Sequence, residues 1–189
     1  ISHYAGAPQY GMEYRSYYMG REWARMGHQV TIVGATFSHL RHHQPAAGCE
    51  NIDGINYIWL PTRQYEGNGL GRVLSMFEFV AQVYRNKLQL EQTKPDVVIA
   101  SSVYTFDLCP CRHIARRCKA KLVYEVYDLW PLSPMIIGGY SPWHPFIWLL
   151  QRGENYAYKH SDLVVSIPDK TFPHMERHGL DKSRFCCIP

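Results

Sequence analysis

The fold is decided by residues 1–34, which read ISHYAGAPQYGMEYRSYYMGREWARMGHQVTIVG. A short strand, Ile1–His3, leads into a loop of small residues, Tyr4–Gly11. Helical spacing then predicts an amphipathic helix over Met12–Met26, and a hydrophobic strand follows over Val30–Gly34. Free backbone N–H groups and the positive end of the helix dipole meet at the start of such a helix, so the loop suits an anionic ligand. The first strand is too short to be complete, and we expect the chain to begin inside its own domain.

The rest of the chain alternates between predicted strands and predicted helices. Strands are predicted at Ile55–Leu60, Val97–Ala100, Lys121–Val126, Leu163–Ile167 and Arg184–Ile188. Helices are predicted at Arg72–Glu91, Phe106–Cys118, Phe146–Lys159 and Asp169–His178. The polar stretch His39–Asn51 and the proline-rich stretch Trp130–Pro145 are predicted to be loops. This alternation predicts an α/β fold, a Rossmann-like, doubly wound, mostly parallel sheet of about seven strands with helices on both faces.

Composition and charge limit the classes of function. Of the 189 residues, 46% are hydrophobic and 19% are charged, which is typical of a globular protein. No apolar run approaches the ~20 residues of a membrane span. The net charge of +4 is too small and too scattered to favour nucleic acid as a partner. We interpret the basic residues of 112–121 as a solvated helix face, the alternative being a patch for anionic lipid or a phosphate-bearing substrate.

The cysteines and histidines do not predict a metal site. The six cysteines lack the two-residue gap of zinc sites, and free thiols in a reducing cytoplasm are expected. His39, His42 and His43 lie in a polar stretch without a patterned carboxylate or cysteine partner.

The familiar phosphate-binding and hydrolase motifs are absent from the sequence. The opening loop lacks G-x-G-x-x-G, and no acidic residue closes the second strand, which disfavours an NAD or FAD enzyme. Neither a P-loop nor the G-x-S-x-G elbow of hydrolases occurs.

Residues that follow the predicted strands are the first candidates for a binding site. Ligands of doubly wound sheets bind outside the carboxyl ends of the strands. The polar and aromatic candidates near these ends are Arg15, Arg72, Tyr104, Tyr127 and Asp128. We expect them to face one cleft.

Six short motifs, in order along nearly the whole chain, resemble those of a known family. They are Pro8-x-x-Gly11, Gly27–Val33, Lys94–Val98, Tyr127–Pro131, Ser161–Ser166 and Phe185–Pro189. Together they resemble the N-terminal domain of a glycosyltransferase family 4 enzyme of the GT-B fold. Asp128–Pro131 and Met12-Glu13-x-Arg15 are similar to a narrower subgroup, which builds bacterial capsules and lipopolysaccharide O-antigens and includes transferases of the N-acetylfucosamine type.

The resemblance implies a two-domain enzyme with a cleft between two Rossmann-like domains. The C-terminal domain of such enzymes binds the nucleotide-sugar donor, and the N-terminal domain holds the acceptor, a glycan or a polyprenyl-diphosphate-linked sugar. Transfer retains the anomeric configuration and needs neither a metal ion nor a cofactor beyond the nucleotide-sugar co-substrate. We therefore expect residues 1–189 to be the acceptor-binding domain, truncated at both ends, lacking the donor-binding domain and inactive alone. The implied location is the cytoplasm. A peripheral position at the inner face of the bacterial membrane is the alternative.

The resemblance also assigns roles to single residues. Gly11 and Met12 match the family loop that touches the donor phosphates, although Gly11 is equally explained as a turn residue with a positive φ. Tyr127 stands where many members carry a histidine that positions the donor sugar, so this role is altered or lost. Asp128 is a catalytic candidate that orients an acceptor hydroxyl or accepts its proton. Its alternative is a turn or cap carboxylate before Pro131.

The acceptor side is assigned to three further residues and an aromatic segment. Arg15 and Arg72 are candidates for a phosphate group, and Tyr104 is a candidate for acceptor contact. The aromatic residues of the proline-rich stretch and the helix after it are Trp130, Tyr140, Trp143, Phe146 and Trp148. We interpret them as packing of an irregular loop, the alternative being a lip for a polyprenyl chain or the membrane surface.

Three rival functions stay open at this point. One is a nucleotide-sugar epimerase of the same two-domain fold. Another is a non-catalytic binding module of flavodoxin or response-regulator type, and the third is a scaffold at the membrane surface.

Overall fold

The computed structural model describes residues 1–11, 14–67 and 69–189. The chain forms two compact units, residues 1–86 and residues 87–189. Each unit contains its own β-sheet and its own helices.

The first unit contains a small mixed sheet. Its elements are α1 Arg15–Arg25, β1 Thr31–Ala35, β2 Gly48–Ile52, β3 Ile55–Leu60 and α2 Leu70–Arg85. The strand order is β1-β3-β2, with β1 parallel and β2 antiparallel to β3. Residues 1–3, predicted as a strand, run along β1 without being part of a regular strand: Ser2 donates its N–H to the Val33 carbonyl (2.9 Å), and Ala35 donates to the His3 carbonyl (3.2 Å).

Strand β2 corrects the prediction of a loop over His39–Asn51. It is a polar edge strand that pairs only with β3 among the described residues, so its side chains carry little apolar signal. Asp53 and Gly54 connect the two strands with φ angles of +51° and +84°. Two consecutive positive φ angles are typical of the hairpin turn that Asp-Gly favours, and this dipeptide was the missed sequence signal.

The core of the first unit lies between α1 and the sheet. Tyr17 of α1 is buried with Ile55, Tyr57 and Trp59 of β3. Gly34 of β1 is required here because a Cβ atom at this position would lie 2.5 Å from Trp59 Cζ3. Trp59 Nε1 also donates to Glu50, which ties the edge strand β2 to this core.

The second unit contains a sheet of four parallel strands in the order β4-β5-β6-β7. Its elements are α3 Lys87–Gln92, β4 Val97–Ala100, α4 Leu108–Cys118, β5 Lys121–Val126, α5 Leu132–Ile136, α6 Pro145–His160, β6 Leu163–Ser166, α7 Phe172–Arg177 and β7 Phe185–Cys187. Short 3₁₀ turns precede α7 and β7, at Asp169–Thr171 and Lys182–Arg184. Alternating burial along β5 places Leu122, Tyr124 and Val126 in the core.

The predicted α/β class with a mostly parallel sheet is confirmed, and three further details differ from the prediction. The seven strands found among the described residues are divided between two sheets. The helix predicted over Arg72–Glu91 is interrupted at Asn86, between α2 and α3. A short helix, α5, lies in the predicted proline-rich loop, where Pro134 falls in the first helical turn and removes no helical hydrogen bond. Among the described residues, none of the helices combines the length and the apolar composition that crossing a bilayer requires.

Candidate functional site

Four basic side chains gather at the carboxyl end of the β1 region in the first unit, and we name His3, His39, Arg41 and Arg72 the basic cluster. His3 ends the segment that runs along β1, and His39 and Arg41 follow β1. Arg72 lies in the first turn of α2. The fold therefore brings one predicted site residue, Arg72, together with three that sequence reasoning missed.

Arg72 and His39 are linked through two tyrosines. Arg72 Nε lies 3.3 Å from the Tyr4 hydroxyl, and its guanidinium stands 5.6 Å from the centre of that ring. The edge of His39 meets the Tyr4 ring, and its Nδ1 lies 2.7 Å from the Tyr65 hydroxyl. Partial burial and the nearby charge of Arg72 lower the pKa of His39. This side of the basic cluster presents cationic and hydroxyl donors, which are suited to an oxyanion.

Arg41 is the buried member of the basic cluster, with 6% of its surface exposed. Its Nε and Nη1 donate to the carbonyls of Ala5 and Ala35, both at 2.8 Å. Its Nη2 is buried and donates to none of the residues that the structure describes. Burial lowers the pKa of Arg41 to about 10, so the group stays cationic at neutral pH. A buried cation without a carboxylate partner indicates a place for an anion or ordered water.

His3 is a neutral imidazole inside this positive region. Burial first, and then the charges of Arg41, Arg72 and His39, lower the pKa of His3 to about 3. Its ring stacks on those of Tyr4 and Phe79, and its Nε2 lies 3.4 Å from Ser75 Oγ. Burial and the nearby guanidinium charges therefore favour the uncharged imidazole.

The opening loop gives Gly11 a conformational role. Its φ is +102°, and a Cβ atom there would lie 2.9 Å from His42 Cδ2. Its N–H donates to the Ala7 carbonyl at 3.1 Å, so this amide is already used inside the loop. Met12 lies outside the described residues. Arg15 is the first residue of α1 and is half-buried.

A second group of polar side chains follows β4 and β5 in the second unit. Ser101 Oγ donates to Glu125 Oε2 at 2.5 Å and lies 3.4 Å from the Tyr127 hydroxyl. Glu125 and Tyr127 are two residues apart, so they face the same side of the sheet. Tyr127 is thus part of a hydrogen-bonded trio with two residues that sequence reasoning left unassigned. The signal for Glu125 was a carboxylate within an otherwise apolar strand.

Asp128, beside Tyr127, takes part in the following turn. Its Oδ1 accepts hydrogen bonds from the Leu129 N–H (2.8 Å) and from the Ser133 hydroxyl. These contacts match the turn-carboxylate interpretation, and the side chain stays half-buried. The second oxygen, Oδ2, accepts no hydrogen bond from the described part of the chain.

Tyr104 and Asp107 are fully buried in the second unit. Tyr104 packs near Phe106, with ring centres 5.7 Å apart, so its ring has no exposed surface to offer to an acceptor. Neither carboxylate oxygen of Asp107 has a well-formed hydrogen bond to the described residues, and Ser102 is the polar group beside it. Burial raises the pKa of Asp107 to about 6, which the Ser102 hydroxyl partly opposes. Sequence reasoning had no signal for this buried acid.

The aromatic segment after β5 is largely exposed, so the interpretation as loop packing is wrong for most of it. Trp143 is 92% exposed and Trp148 is 58% exposed, and Ile136, Ile137 and Tyr140 are exposed beside them in the chain. Phe146 is half-buried, with its ring 6.3 Å from that of Phe106. Arg152 lies over the Trp148 ring at 4.7 Å. Exposed aromatic and cationic groups in one segment are typical of a surface that contacts a lipid or a partner.

A family model described as "Glycosyl transferase 4-like domain" matches residues 10–189. A search of curated proteins gave no significant match.

Proposed function

The chain belongs to the glycosyl transferase 4-like domain family, and on that premise we propose that it is the acceptor-side domain of a retaining, metal-independent glycosyltransferase. The enzyme moves a sugar from a nucleotide-sugar donor to a glycan or polyprenyl-diphosphate-linked acceptor in bacterial surface polysaccharide synthesis. The donor binds mainly in a second domain, and the sugar belongs to the N-acetylfucosamine group or a related one. The basic cluster supports this proposal most strongly.

The basic cluster is suited to a diphosphate for an electrostatic reason. Arg41 is buried without a carboxylate partner among the described residues, and Arg72 and His39 present donors beside it. Phosphate oxygens accept charge-assisted hydrogen bonds from guanidinium groups in a two-pronged geometry. The departing diphosphate of the donor is stabilised, in this proposal, by cationic side chains of the donor-binding domain, so no metal ion is required. Arg72 binds the acceptor phosphate in this proposal, and Arg15 lies at the start of α1 as a further cation.

Tyr127 and its neighbours in the second unit are assigned to contact with the reacting sugar. The Tyr127 hydroxyl, near Ser101 Oγ at 3.4 Å, orients a sugar hydroxyl in place of the family histidine. Asp128 holds the turn through Oδ1 and has Oδ2 to accept a hydrogen bond from the acceptor hydroxyl. Gly11 keeps the opening loop in shape, and the donor phosphates bind next to it. Tyr104 has no part in the proposal because its side chain is buried.

The protein acts at the cytoplasmic face of the membrane in this proposal. A polyprenyl-linked acceptor resides in the bilayer, and the exposed aromatic residues near Trp143 and Trp148 provide a surface that can reach it. Tyr and Trp side chains are enriched at membrane interfaces because one end of the ring is apolar and the other is polar.

The test is a transfer assay on the full-length protein. Incubation with a panel of nucleotide sugars and a polyprenyl-diphosphate-linked sugar, in EDTA, is followed by mass spectrometry. We expect a sugar-mass increase on the lipid, reduced in Tyr127→Phe and retained in Tyr84→Phe, which removes the same hydroxyl from an exposed position on α2. Interconversion of a free nucleotide sugar without transfer would indicate the epimerase function instead. Neither reaction with any donor would indicate a binding module.

A further inference from the structure

A cluster of metal-ligating side chains lies in the second unit, apart from the residues assigned above. Glu154 belongs to α6, His174 belongs to α7, and His178 directly follows α7. One potential ligand atom from each of the three lies within 4.8 Å of the other two. Within the described ranges, this is the one group of three or more such residues.

The two histidines are placed together by their spacing. Residues four apart on a helix lie on the same face, and the His174 and His178 rings are 4.5 Å apart. Both rings are partly exposed, so an ion can reach them from solvent. His174 Nε2 lies 2.9 Å from Glu154 Oε1.

Glu154 is a buried carboxylate, 1% exposed, and its surroundings hold it in one orientation. Tyr158 donates to Oε1 at 2.9 Å, and Gln151 donates to Oε2 at 2.6 Å. In the described part of the chain no lysine or arginine forms an ion pair with it, and its ion-pairing neighbour is His174. A divalent ion bound here supplies positive charge to a buried carboxylate that has no lysine or arginine partner among the described residues.

We propose that Glu154, His174 and His178 bind a zinc-type divalent ion that joins α6 to α7. Two imidazole nitrogens and one carboxylate oxygen form a donor set that suits Zn²⁺ and neighbouring transition metals and does not suit Mg²⁺ or Ca²⁺. The ion takes the place of the hydrogen bond between His174 Nε2 and Glu154 Oε1 and adds positive charge beside the buried carboxylate. The fourth position belongs to water or to Asn155, whose Oδ1 lies 3.1 Å from His178 Nδ1.

Tyr158 and Gln151 are the outer shell of this site. Hydrogen bonds that orient a metal-binding carboxylate raise metal affinity, and losing one typically costs about 10–100-fold in affinity. The ion is structural because it fixes α7, which follows the carboxyl end of β6, on the neighbouring helix. This role is independent of the proposed transferase chemistry.

The experiment measures binding of the metal alone. The chain, freed of polyhistidine tags and stripped with EDTA, is titrated with ZnCl₂ by calorimetry and, separately, with MgCl₂. We expect one equivalent of Zn²⁺ to bind and Mg²⁺ not to bind. We expect Tyr158→Phe to lower the affinity for Zn²⁺ about tenfold or more. The affinity should fall at least as much in each of the ligand variants, Glu154→Gln, His174→Gln and His178→Gln. His28→Gln is the matched control, since it removes an exposed histidine of the first unit.

Cobalt substitution separates this site from binding by thiols, because the chain has six free cysteines. A Co²⁺ complex with nitrogen and oxygen ligands shows visible d–d bands without the intense near-ultraviolet band of a thiolate ligand. The proposal expects these bands, their loss in His178→Gln, and a rise in the thermal unfolding midpoint with Zn²⁺ that the same variant abolishes. It is overturned if wild type binds no Zn²⁺, if the ligand variants bind as tightly as His28→Gln, or if the thiolate band appears. His178→Gln alters a partly exposed side chain, so this comparison holds even where Glu154→Gln fails to fold.

Discussion

Arg41 Nε donates a 2.8 Å hydrogen bond to the carbonyl oxygen of Ala5, 36 residues earlier in the chain. The same guanidinium donates from Nη1 to the Ala35 carbonyl at the end of β1. One buried side chain therefore joins the opening loop to the loop after β1. The basic cluster depends on this junction because His3 precedes the first loop and His39 lies in the second.

Arg41→Met is expected to destabilise the protein by about 2–4 kcal/mol, because two buried carbonyl oxygens lose their donors. Urea unfolding measures this loss. Arg25→Met is the control, since Arg25 is exposed in its pair with Glu22, and we expect a change below about 0.5 kcal/mol. Equal stability of Arg41→Met and wild type would mean that the burial cost of the charge cancels the value of its hydrogen bonds.

His3 should make stability depend on pH in the acidic range. Its pKa of about 3 in the fold lies below its ordinary value of 6.5, so the unfolded chain binds the proton more tightly. The contribution of His3 to the free energy of unfolding is therefore complete above pH 6.5. It falls by about 1.4 kcal/mol for each pH unit as the pH drops from 6.5 to 3. Relative to His3→Gln, wild type should lose about 2 kcal/mol between pH 7 and pH 5 in urea unfolding. Parallel curves for the two proteins would contradict the buried neutral imidazole.

Asp107 should give the free energy of unfolding a pH dependence of the opposite sign. Its pKa of about 6 lies above its ordinary value of 3.8, so the folded state holds the proton more tightly and stability falls as pH rises from 3.8 to 6. Asp107→Asn should remove this loss, so its stability relative to wild type should rise by about 2 kcal/mol between pH 4 and pH 7. Because His3 changes with the opposite sign in this window, each variant must be compared with wild type at every pH. A stability difference that does not change with pH would contradict the raised pKa.

The exposed tryptophans should bind membranes. We expect Trp143→Ser/Trp148→Ser to lower partition onto vesicles containing phosphatidylglycerol by about tenfold or more, since each ring buries apolar surface at the interface. Co-sedimentation measures the partition. Met26→Ser is the control, because Met26 is 72% exposed in the first unit. Unchanged partition of the double variant would show that the segment serves another partner.

The sequence predicted the elements whose cause is local. The bounds of β3, β4 and β5 agree with the prediction. Each apolar run ends where residues that favour a turn begin, at Pro61 after β3, Ser101 after β4 and Tyr127-Asp128 after β5. Strand β2 was missed because it lies at a sheet edge, where polar side chains give no alternating apolar pattern. The one sequence signal for the hairpin was the dipeptide Asp53-Gly54, which favours a tight turn between strands.

Part of the candidate site was predictable from its position after a strand. Tyr127 and Asp128 directly follow β5 in the structure, as the carboxyl-end rule requires. Arg41, His3 and Asp107 were missed because the fold buries them, and a single polar or charged residue in a sequence gives no sign of such burial. Tyr104 was chosen for its position after β4, but its ring is in the interior.

The basic cluster binds the acceptor in the proposed function, and a comparison of KM values tests this assignment. The full-length enzyme is assayed with donor and acceptor varied in turn, for wild type, Arg72→Gln and Arg85→Gln, which removes an exposed arginine from the same helix. Losing a charge-assisted hydrogen bond to phosphate should raise the acceptor KM of Arg72→Gln about 10–100-fold and leave its donor KM and both KM values of Arg85→Gln unchanged. A rise in the donor KM alone would contradict the account and assign the basic cluster to the donor.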